Sequence, residues 1–402
     1  MFQFYAPWCG HCKNLEPIWN QVAQSLVDTD IRVARLDCTR FTSIANDFNV
    51  AGFPTILYVK GHKIVEYRGD RTREEIVDFV RRIDGPSVRY LGRCQDVPSL
   101  PHKVYFVLFE CEDTDDLKEL YQAIAQEYHA LLYFYTSPCA CNPRPEHDLL
   151  VFKDKTSYPF VANETQSLNN SLAHWVNTER FPAFTKITYG NYGQIIRTGK
   201  KIVMAILEES VIGTYTMKMK EFKDVLEAIA ITTRDKYHKD FVFGYLGTPA
   251  LANSVAMTVL PVPSLMVVDS HTYQYHLPEV EDGHRGPPTP QAVLELLDRI
   301  LDQTAPAYGG NTYFYRLYSN YFEIKTSLLT MWQGNPLLTI VLLGMPVGVL
   351  SIIIYTSCCA GLMEADDDEE YETATNGDGL GLAKAVLKTF YFLEDFLYFL
   401  NV

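Results

Sequence analysis

The stretch that most constrains the fold of this chain is Phe4-Tyr5-Ala6-Pro7-Trp8-Cys9-Gly10-His11-Cys12-Lys13. A short apolar run ends at Trp8, and the following residues predict a helix that begins at Cys9. Because the free N–H groups and the dipole at a helix N-terminus favour an anion, we expect the Cys9 thiol to ionise easily. Cys12, one turn further in, suits the resolving role, and a protonated His11 stabilises the Cys9 thiolate. The segment therefore predicts a dithiol that exchanges disulfides.

The residues after Cys12 fit a helix that carries such a dithiol. Apolar side chains recur at the spacing of one helix face, at Leu15, Ile18, Trp19, Val22, Ala23 and Leu26. Pro17 should kink this helix without ending it. A Cys-x-x-Cys pair is also half of a zinc site, but no second Cys-x-x-Cys or His-x-x-x-His follows at finger spacing. We therefore expect no metal here.

A second short motif, Gly52-Phe53-Pro54-Thr55, precedes a predicted strand. Its spacing alone indicates a Gly-x-Pro turn with an ordinary trans proline. Together with the segment Phe4 to Lys13, it resembles the protein disulfide isomerases, and this resemblance covers residues 2–85 and continues to residue 304. The resemblance implies that Pro54 is a cis-proline facing the dithiol. It also implies that Pro54 and Trp8 contact the substrate, and that no metal or organic cofactor is needed.

The resemblance points to three further positions in the first domain. The family keeps a buried acid in the strand that leads to the dithiol, and the matching residue here is Gln3. Because an amide cannot take the proton of Cys12, we expect slower proton transfer during turnover. Arg35 matches the basic partner of that acid, and Arg71 matches a mobile arginine that tunes the resolving cysteine. The alternative for both arginines is an ordinary surface or paired cation.

Length and charge limit the classes of protein to consider. The chain has 402 residues and a net charge of −14, which argues against nucleic acid as a partner. Nine cysteines are too few to staple a chain of this length, so we expect two or three domains held by hydrophobic cores. No signal peptide is visible before the first strand. A complete thioredoxin fold would begin with another strand and helix, so we interpret the chain as lacking both, together with its targeting segment.

Alternating strands and helices predict an α/β fold of mixed sheets flanked by helices, and the resemblance implies tandem thioredoxin-like domains. We place a catalytic domain at 1–85, truncated at its N-terminus, and inactive domains at 86–183 and 184–304. In the first domain we expect strands at 31–37, 55–60 and 63–67 and helices near 43–48 and from Thr72 to Gly85. In the second we expect strands at 104–110, 131–136 and 149–153 and helices at 116–128 and 172–180. In the third we expect elements at 202–207, 219–237, 241–246, 252–260, 264–269 and 291–302.

One proline motif recurs in the third domain. Val262-Pro263-Ser264 occupies the place that Phe53-Pro54-Thr55 holds in the first domain. It is either a retained peptide-binding turn or a proline that begins a strand, and we favour the second interpretation.

The remaining cysteines of the first two domains give a weaker signal. Cys139-Ala140-Cys141 lies in a loop rich in proline and asparagine. It is either a labile redox pair or two unrelated loop cysteines, and we favour the second interpretation because one intervening residue strains a disulfide. Cys38, Cys94 and Cys111 show no partner pattern, so we expect buried or free thiols there.

Two features suggest a secretory membrane protein. Asn163 and Asn169 begin N-glycosylation sequons in a polar stretch between predicted elements. After a linker at 305–336, we predict a transmembrane helix at 337–358, because Leu337 to Tyr355 gives 19 almost wholly apolar residues, enough to cross a bilayer of ~30 Å. A buried core helix is the alternative, and Pro346 and Gly348 disfavour it.

The sequence indicates the orientation in the membrane less directly. An acidic tail at 359–402 follows the span, while the nearest bases, Arg316 and Lys325, precede it. The positive-inside rule alone would therefore place the three domains in the cytosol. The resemblance implies the opposite, with these domains in the lumen of the endoplasmic reticulum and the tail in the cytosol, and we follow the resemblance. The stretch 380–402 is either an amphipathic surface helix or an aberrant tail, and the lysine-rich end that would indicate retention is absent.

These observations predict a membrane-anchored thiol–disulfide oxidoreductase that forms and rearranges disulfides in secretory proteins. Its expected partners are cysteine-containing client proteins, glutathione or another thiol oxidoreductase, and the lipid bilayer. Two alternatives stay open: a non-catalytic holder of unfolded clients, and a cytosolic reductase of the thioredoxin type.

Overall fold

The computed structural model describes residues 1–111, 115–163, 165–210, 213–279, 287–310 and 313–363. The chain divides into two compact units, Met1–Asn311 and Thr312–Val402. The first unit contains three sheets, each flanked by helices. The predicted acidic run and the stretch 380–402 lie outside the described residues.

The first sheet carries the predicted dithiol. Its elements are β1 (Phe2–Tyr5), α1 (Gly10–Ser25), β2 (Ala34–Asp37), α2 (Thr42–Asp47), β3 (Thr55–Lys60), β4 (Lys63–Glu66) and α3 (Arg73–Asp84). The strand order is β2-β1-β3-β4, with β1 parallel to β2 and antiparallel to β3. α1 continues through Pro17, as predicted, and packs Leu15 and Trp19 into a core shared with Phe79 of α3. This packing fixes the start of α1 at the end of the central strand β1.

The second sheet is built from β5 (Val88–Tyr90), β6 (Val104–Glu110), α4 (Asp115–Glu127), β7 (Tyr133–Pro138), β8 (Leu149–Lys153), β9 (Thr156–Pro159) and α5 (Leu168–Glu179). Its strand order is β5-β7-β6-β8-β9. Two 3₁₀ turns, Val97–Ser99 and Cys139–Cys141, lie in its loops. α5 begins four residues before the predicted Leu172, because the Ser167 hydroxyl accepts a hydrogen bond from the Asn170 N–H and caps the helix there.

The third sheet follows the order of elements of the second, with three more helices and one more strand. The elements are β10 (Phe184–Ile187), α6 (Tyr189–Ile196), β11 (Lys201–Ile206), α7 (Met217–Thr232), α8 (Arg234–Tyr237), β12 (Phe241–Leu246), α9 (Ala250–Ala256), β13 (Ser264–Val268), β14 (Gln274–His276), α10 (Pro290–Leu301) and β15 (Tyr308–Gly309). The strand order is β10-β12-β11-β13-β14-β15. The single helix predicted at 219–237 is interrupted at Thr233. The hydroxyl of Thr233 donates a hydrogen bond to the carbonyl oxygen of Ile229.

The stretch predicted as a linker, 305–336, contains regular secondary structure. Residues 308 and 309 form β15 against β14, and α11 spans Tyr313–Gly334. No proline interrupts α11, and its one glycine is its last residue, so nothing in the stretch opposes a helix. α12 (Pro336–Met363) follows. Within the described residues, no helix combines the length and apolar character that crossing a membrane requires, and the span at 337–358 stays a prediction.

Candidate active site

Cys9 and Cys12 are joined by a disulfide at the start of α1, with their Cα atoms 5.3 Å apart. Cys9 is the N-cap of the helix, and its Sγ accepts a hydrogen bond of 3.2 Å from the Cys12 N–H. Cys9 is 7% exposed and Cys12 1% exposed. The outer sulfur thus lies where a helix N-terminus stabilises a thiolate, and the inner sulfur is covered by the fold.

Two aromatic side chains flank the disulfide. Trp8 is 73% exposed, and its ring meets the edge of Phe53 at a centroid distance of 6.1 Å. Phe53 also packs against the buried cluster of Ala6, Cys9 and Cys12. Trp8 and Phe53 therefore form an exposed apolar surface beside the sulfurs, which suits contact with a peptide chain.

The loop before β3 reaches the same place. The Phe53–Pro54 peptide bond is cis, in the conformation that the family resemblance implied. Arg71 donates a hydrogen bond of 3.5 Å from Nη2 to the carbonyl oxygen of Pro54. His11 is exposed on the first turn of α1. The structure thus brings Trp8, Pro54 and Arg71 into one loop region around the dithiol helix, with His11 within that helix.

Gln3 lies beneath this helix. Side chains alternate along β1, so Gln3 shares a sheet face with Met1, which packs against Leu15 and Trp19 of α1. Gln3 is fully buried, and neither its amide nitrogen nor its amide oxygen has a hydrogen-bond partner. The one buried polar group of β1 on this face is therefore neutral and unpaired.

Arg35 forms an ion pair with Glu16, a residue that the sequence analysis did not identify. Its Cα pairs in register with that of Gln3, while its Nη1 bonds to Glu16 and its guanidinium lies 4.4 Å from the ring centroid of Tyr5. Glu16 is four residues after Cys12, on the same side of α1. That i, i+4 spacing is the signal by which Glu16 was detectable from sequence.

The cysteines of the second domain pair differently from the prediction. Cys94 is bonded to Cys141 and Cys111 to Cys139, with Cα separations of 4.7 Å and 4.8 Å. The interpretation of Cys94 and Cys111 as buried or free thiols is therefore wrong. The favoured interpretation of Cys139 and Cys141, that they do not form a pair with each other, is confirmed, although each is bonded to a distant cysteine. Pairing requires Cβ atoms brought close by the fold, and sequence spacing does not reveal this.

Cys38 is the buried, free thiol that was predicted. Burial raises its pKa, and its side chain packs with Phe4, Ala45 and Leu57, in a buried cluster separate from the one that holds the dithiol. Within the described ranges, His, Cys, Asp and Glu side chains form no group of three or more suited to a metal ion.

Three predicted positions lie away from this site. The Val262–Pro263 bond is also cis, and β13 begins at the next residue, Ser264. Asn163 lies in an exposed loop, where its Oδ1 accepts hydrogen bonds from the backbone N–H and hydroxyl of Thr165. Asn169 is the second residue of α5, so the expectation that it lies between elements is wrong.

Comparison with known proteins assigns the chain to a family. Residues 1–82 match the family model described as Thioredoxin, and residues 109–298 match the model described as Thioredoxin-like domain. Protein disulfide-isomerase TMX3 of Xenopus laevis is 34% identical over 387 residues, covering 94% of this chain and 81% of that protein. The TMX3 protein of Homo sapiens is 32% identical over 385 residues, covering 92% and 80%. The chain belongs to the protein disulfide isomerase family.

This disulfide isomerase is therefore an enzyme of thiol–disulfide exchange. The predicted α/β class with more than one thioredoxin-like domain is confirmed by the family models and by the three sheets. A shorter match of 46% identity over 88 residues relates 21% of the chain to 14% of protein disulfide-isomerase A4 of Homo sapiens.

Proposed function

We propose that Cys9 and Cys12 are the exchange pair of this disulfide isomerase, with Cys9 as the nucleophile and Cys12 as the resolving cysteine. The observation that carries this proposal is the position of Cys9, whose sulfur caps α1 while the sulfur of Cys12 is buried one turn inside. A thiolate at a helix N-terminus is both more abundant at neutral pH and a better leaving group.

Disulfide donation runs in two steps. A client thiolate attacks the Sγ of Cys9, the Cys9–Cys12 bond breaks, and Cys12 leaves as a thiolate. The second client thiolate then attacks the client sulfur of the mixed disulfide and releases the Cys9 thiolate. Two electrons pass from the client to the dithiol. Reduction of a client disulfide begins with attack by Cys9 and ends when Cys12 resolves the mixed disulfide.

Other side chains act on binding and on charge. Trp8 and Pro54 contact the client backbone at the exposed apolar surface beside the dithiol. His11, when it is protonated, stabilises the Cys9 thiolate. Arg71, held at the carbonyl of Pro54, tunes Cys12 from the neighbouring loop. Arg35 acts through its ion pair with Glu16, which is on the dithiol helix.

We further propose that the enzyme works on secretory proteins in the lumen of the endoplasmic reticulum. Residues 337–358 would anchor it as a single-pass membrane protein, residues 1–85 would form the catalytic domain, and 86–183 and 184–304 would form domains without a Cys-x-x-Cys dithiol. The apolar run from Leu337 to Tyr355 and the sequons at Asn163 and Asn169 support this location. Glutathione or another thiol oxidoreductase would reset the dithiol.

The location is tested by glycan analysis of the full chain expressed in animal cells. The exposed loop position predicts a glycan on Asn163, so endoglycosidase treatment should increase gel mobility and Asn163→Gln should remove that shift. Asn49→Gln, an exposed asparagine outside any sequon, is the matched control. A mobility that endoglycosidase never changes would contradict the luminal assignment.

The site is tested by the alkylation rate of Cys9 against pH in a full-length Cys12→Ser variant. We expect a thiolate pKa well below the ~8.5 of a free cysteine. Cys38 serves as the internal control, because burial raises its pKa and should leave it unreactive at neutral pH. A Cys9 profile with its midpoint at ~8.5 would overturn the assignment.

The division of roles is tested by trapping. Cys12→Ser leaves the nucleophile without its resolving partner, so it should accumulate mixed disulfides with clients that a reductant releases. Cys9→Ser should accumulate none at this site. Equal trapping by the two variants, measured by diagonal gel electrophoresis, would contradict the roles assigned to Cys9 and Cys12.

A further inference from the structure

Two disulfides of the second domain meet in one three-residue turn. The turn Cys139–Cys141 follows β7, and its first cysteine bonds to Cys111 at the end of β6 while its last bonds to Cys94 in the loop after β5. Cys94 and Cys139 are exposed, and Cys111 and Cys141 are half-buried. Both bridges are therefore within reach of a thiol in solution.

The two bridges contribute little to the folding of this domain, which has a hydrophobic core of its own. Its sheet has a buried apolar cluster on each face, one including Phe106, Phe134 and Leu172, the other including Tyr105 and Leu150. Each bridge ends in a loop or turn on at least one side, and neither is part of a strand ladder. Opening the Cys94–Cys141 bridge would leave all backbone hydrogen bonds of the sheet intact.

An open cavity of about 570 Å³ has the Cys94–Cys141 bridge in its wall. Aromatic rings of Tyr105 and Phe152, with centroids 5.2 Å apart, line another part of it, and the exposed Thr156 also lines it. A volume of this size and a mixture of aromatic and polar walls suit a short peptide segment. The bridge is thus presented to whatever occupies the cavity.

We propose that the Cys94–Cys141 bridge is a second thiol–disulfide exchange site, which oxidises a dithiol peptide docked in this cavity. A peptide thiolate attacks the Sγ of the exposed Cys94, a sulfur–sulfur bond forms between them, and the Cys94–Cys141 bond breaks with its electron pair on Cys141. The second peptide thiolate attacks the peptide sulfur of this mixed disulfide and releases Cys94. The peptide loses two electrons, and Cys94 and Cys141 take up two protons as thiols.

The Cys111–Cys139 bridge has a different role in this scheme. It ties the turn to the end of β6 while the neighbouring bridge is open. Because Cys139 stays fixed, Cys141 remains near Cys94 and the bridge can close again when a small disulfide such as oxidised glutathione accepts the electrons.

The test uses the oxidised full-length chain in detergent with Cys9→Ser and Cys12→Ser, so that the first site cannot contribute. A reduced synthetic peptide with two cysteines is added in equal amount, and differential alkylation with mass spectrometry locates the thiols. We expect an oxidised peptide, new thiols on Cys94 and Cys141, and an intact Cys111–Cys139 bridge. A peptide that stays reduced, with all four cysteines still bridged, would overturn the proposal.

A second measurement tests the cavity without touching a cysteine. Thr156→Trp in the same background places a large ring at the cavity wall, which should slow oxidation of the peptide at least ~10-fold by steric exclusion. Reaction with dithiothreitol, which is small, should keep its rate. Gln126→Trp on the exposed face of α4 is the matched control, because this residue lies outside the cavity. Equal peptide rates in the two variants would refute docking in the cavity.

Discussion

Two buried polar side chains in the first unit are accommodated in opposite ways. Gln3, under the dithiol helix, is 0% exposed and its amide makes no hydrogen bond. Glu179, at the end of α5, is 5% exposed, and its carboxylate receives Arg234 at 2.8 Å, His238 at 2.7 Å and Lys153 at 2.8 Å. The amide of Gln3 is neutral and unpaired, whereas the carboxylate of Glu179 is charged and paired with the cations of Lys153 and Arg234.

The difference follows from where each group lies. Glu179 and Lys153 lie in the part of the chain that forms the second sheet, whereas Arg234, His238 and Lys200 lie in the part that forms the third. The ion pair of Arg234 and the hydrogen bonds of His238 and Lys200 therefore join the two parts. Burial alone would raise the pKa of Glu179, but the hydrogen bond from His238 and the charges of Lys153 and Arg234 outweigh it and lower that pKa. Buried charge is concentrated at this junction of Glu179, Lys153, Arg234, His238 and Lys200, whereas Gln3, on the face of β1 that packs against α1, carries none.

The largest effect should come from removing the charge at the junction. Glu179→Gln leaves the cations of Lys153 and Arg234 buried without a counter-charge, which typically costs about 3–5 kcal/mol. Urea unfolding of the full chain in detergent, followed by tryptophan fluorescence, measures the loss. Glu279→Gln breaks an exposed ion pair with Arg299 and should cost less than about 1 kcal/mol. Equal losses in the two variants would show that the junction is no more than a surface pair.

Acid should weaken the same junction. Burial, opposed by the hydrogen bond to Glu179 and reinforced by Lys200 and Lys153, lowers the pKa of His238 to about 4. Between pH 6.5 and 4 the unfolded chain therefore binds a proton that the folded chain does not, and stability falls as the pH falls through this window, by up to about 3 kcal/mol. Unfolding midpoints at successive pH values measure the slope.

His238→Gln is the matched variant for this pH dependence. Its amide can still donate a hydrogen bond to Glu179 but does not titrate, so the slope between pH 6.5 and 4 should flatten. Burial also lowers the pKa of Lys200, to about 7, and this adds stability as the pH rises from there toward 10.5. A slope that is unchanged in His238→Gln would assign the acid sensitivity to other groups.

In contrast to the loss expected at Glu179, replacing the unpaired amide through Gln3→Met should stabilise the chain. Methionine has a similar length and no polar atoms, so it removes two buried groups that lack partners, each of which costs about 1–3 kcal/mol when unsatisfied. We expect a gain of at least about 1 kcal/mol in unfolding free energy, with exchange activity unchanged. A loss of stability would mean that the amide has a partner such as a buried water.

The strands could be predicted from the sequence where the signal for them lies within the strand itself. The bounds of β3, β6, β8 and β12 match the prediction at both ends, because each is an unbroken apolar run between turn residues. The short strands at or near the sheet edges, such as β5 and β10, have three or four residues and are held mainly by pairing with a neighbour. Their own sequence carries too little pattern to identify them.

The site divides in the same way. The position of the Cys9–Cys12 pair at the start of a helix was predictable, because the motif and the helix periodicity lie within 20 residues of each other. The Cys94–Cys141 bridge spans 47 residues and exists because β5 and β7 are neighbours in the sheet. Likewise, the junction around Glu179 joins residues up to 59 apart, and no local pattern reports that they meet.

The sharpest test of the mechanism should come from Gln3→Glu, whose effect is on a rate and not on stability. A carboxylate at this position can take the proton of Cys12 as Cys12 attacks a mixed disulfide, which the amide cannot do, so resolution should become at least ~10-fold faster. Burial without an ion pair raises the pKa of such a carboxyl group, and the gain should therefore grow with pH as it ionises. Stopped-flow measurement of mixed-disulfide resolution from pH 6 to 9 tests this, with Gln3→Met as the control that changes stability without supplying a base. If Gln3→Glu resolves no faster than Gln3→Met at any pH, proton transfer from Cys12 does not limit turnover, and Glu16 on the same helix becomes the side chain to examine.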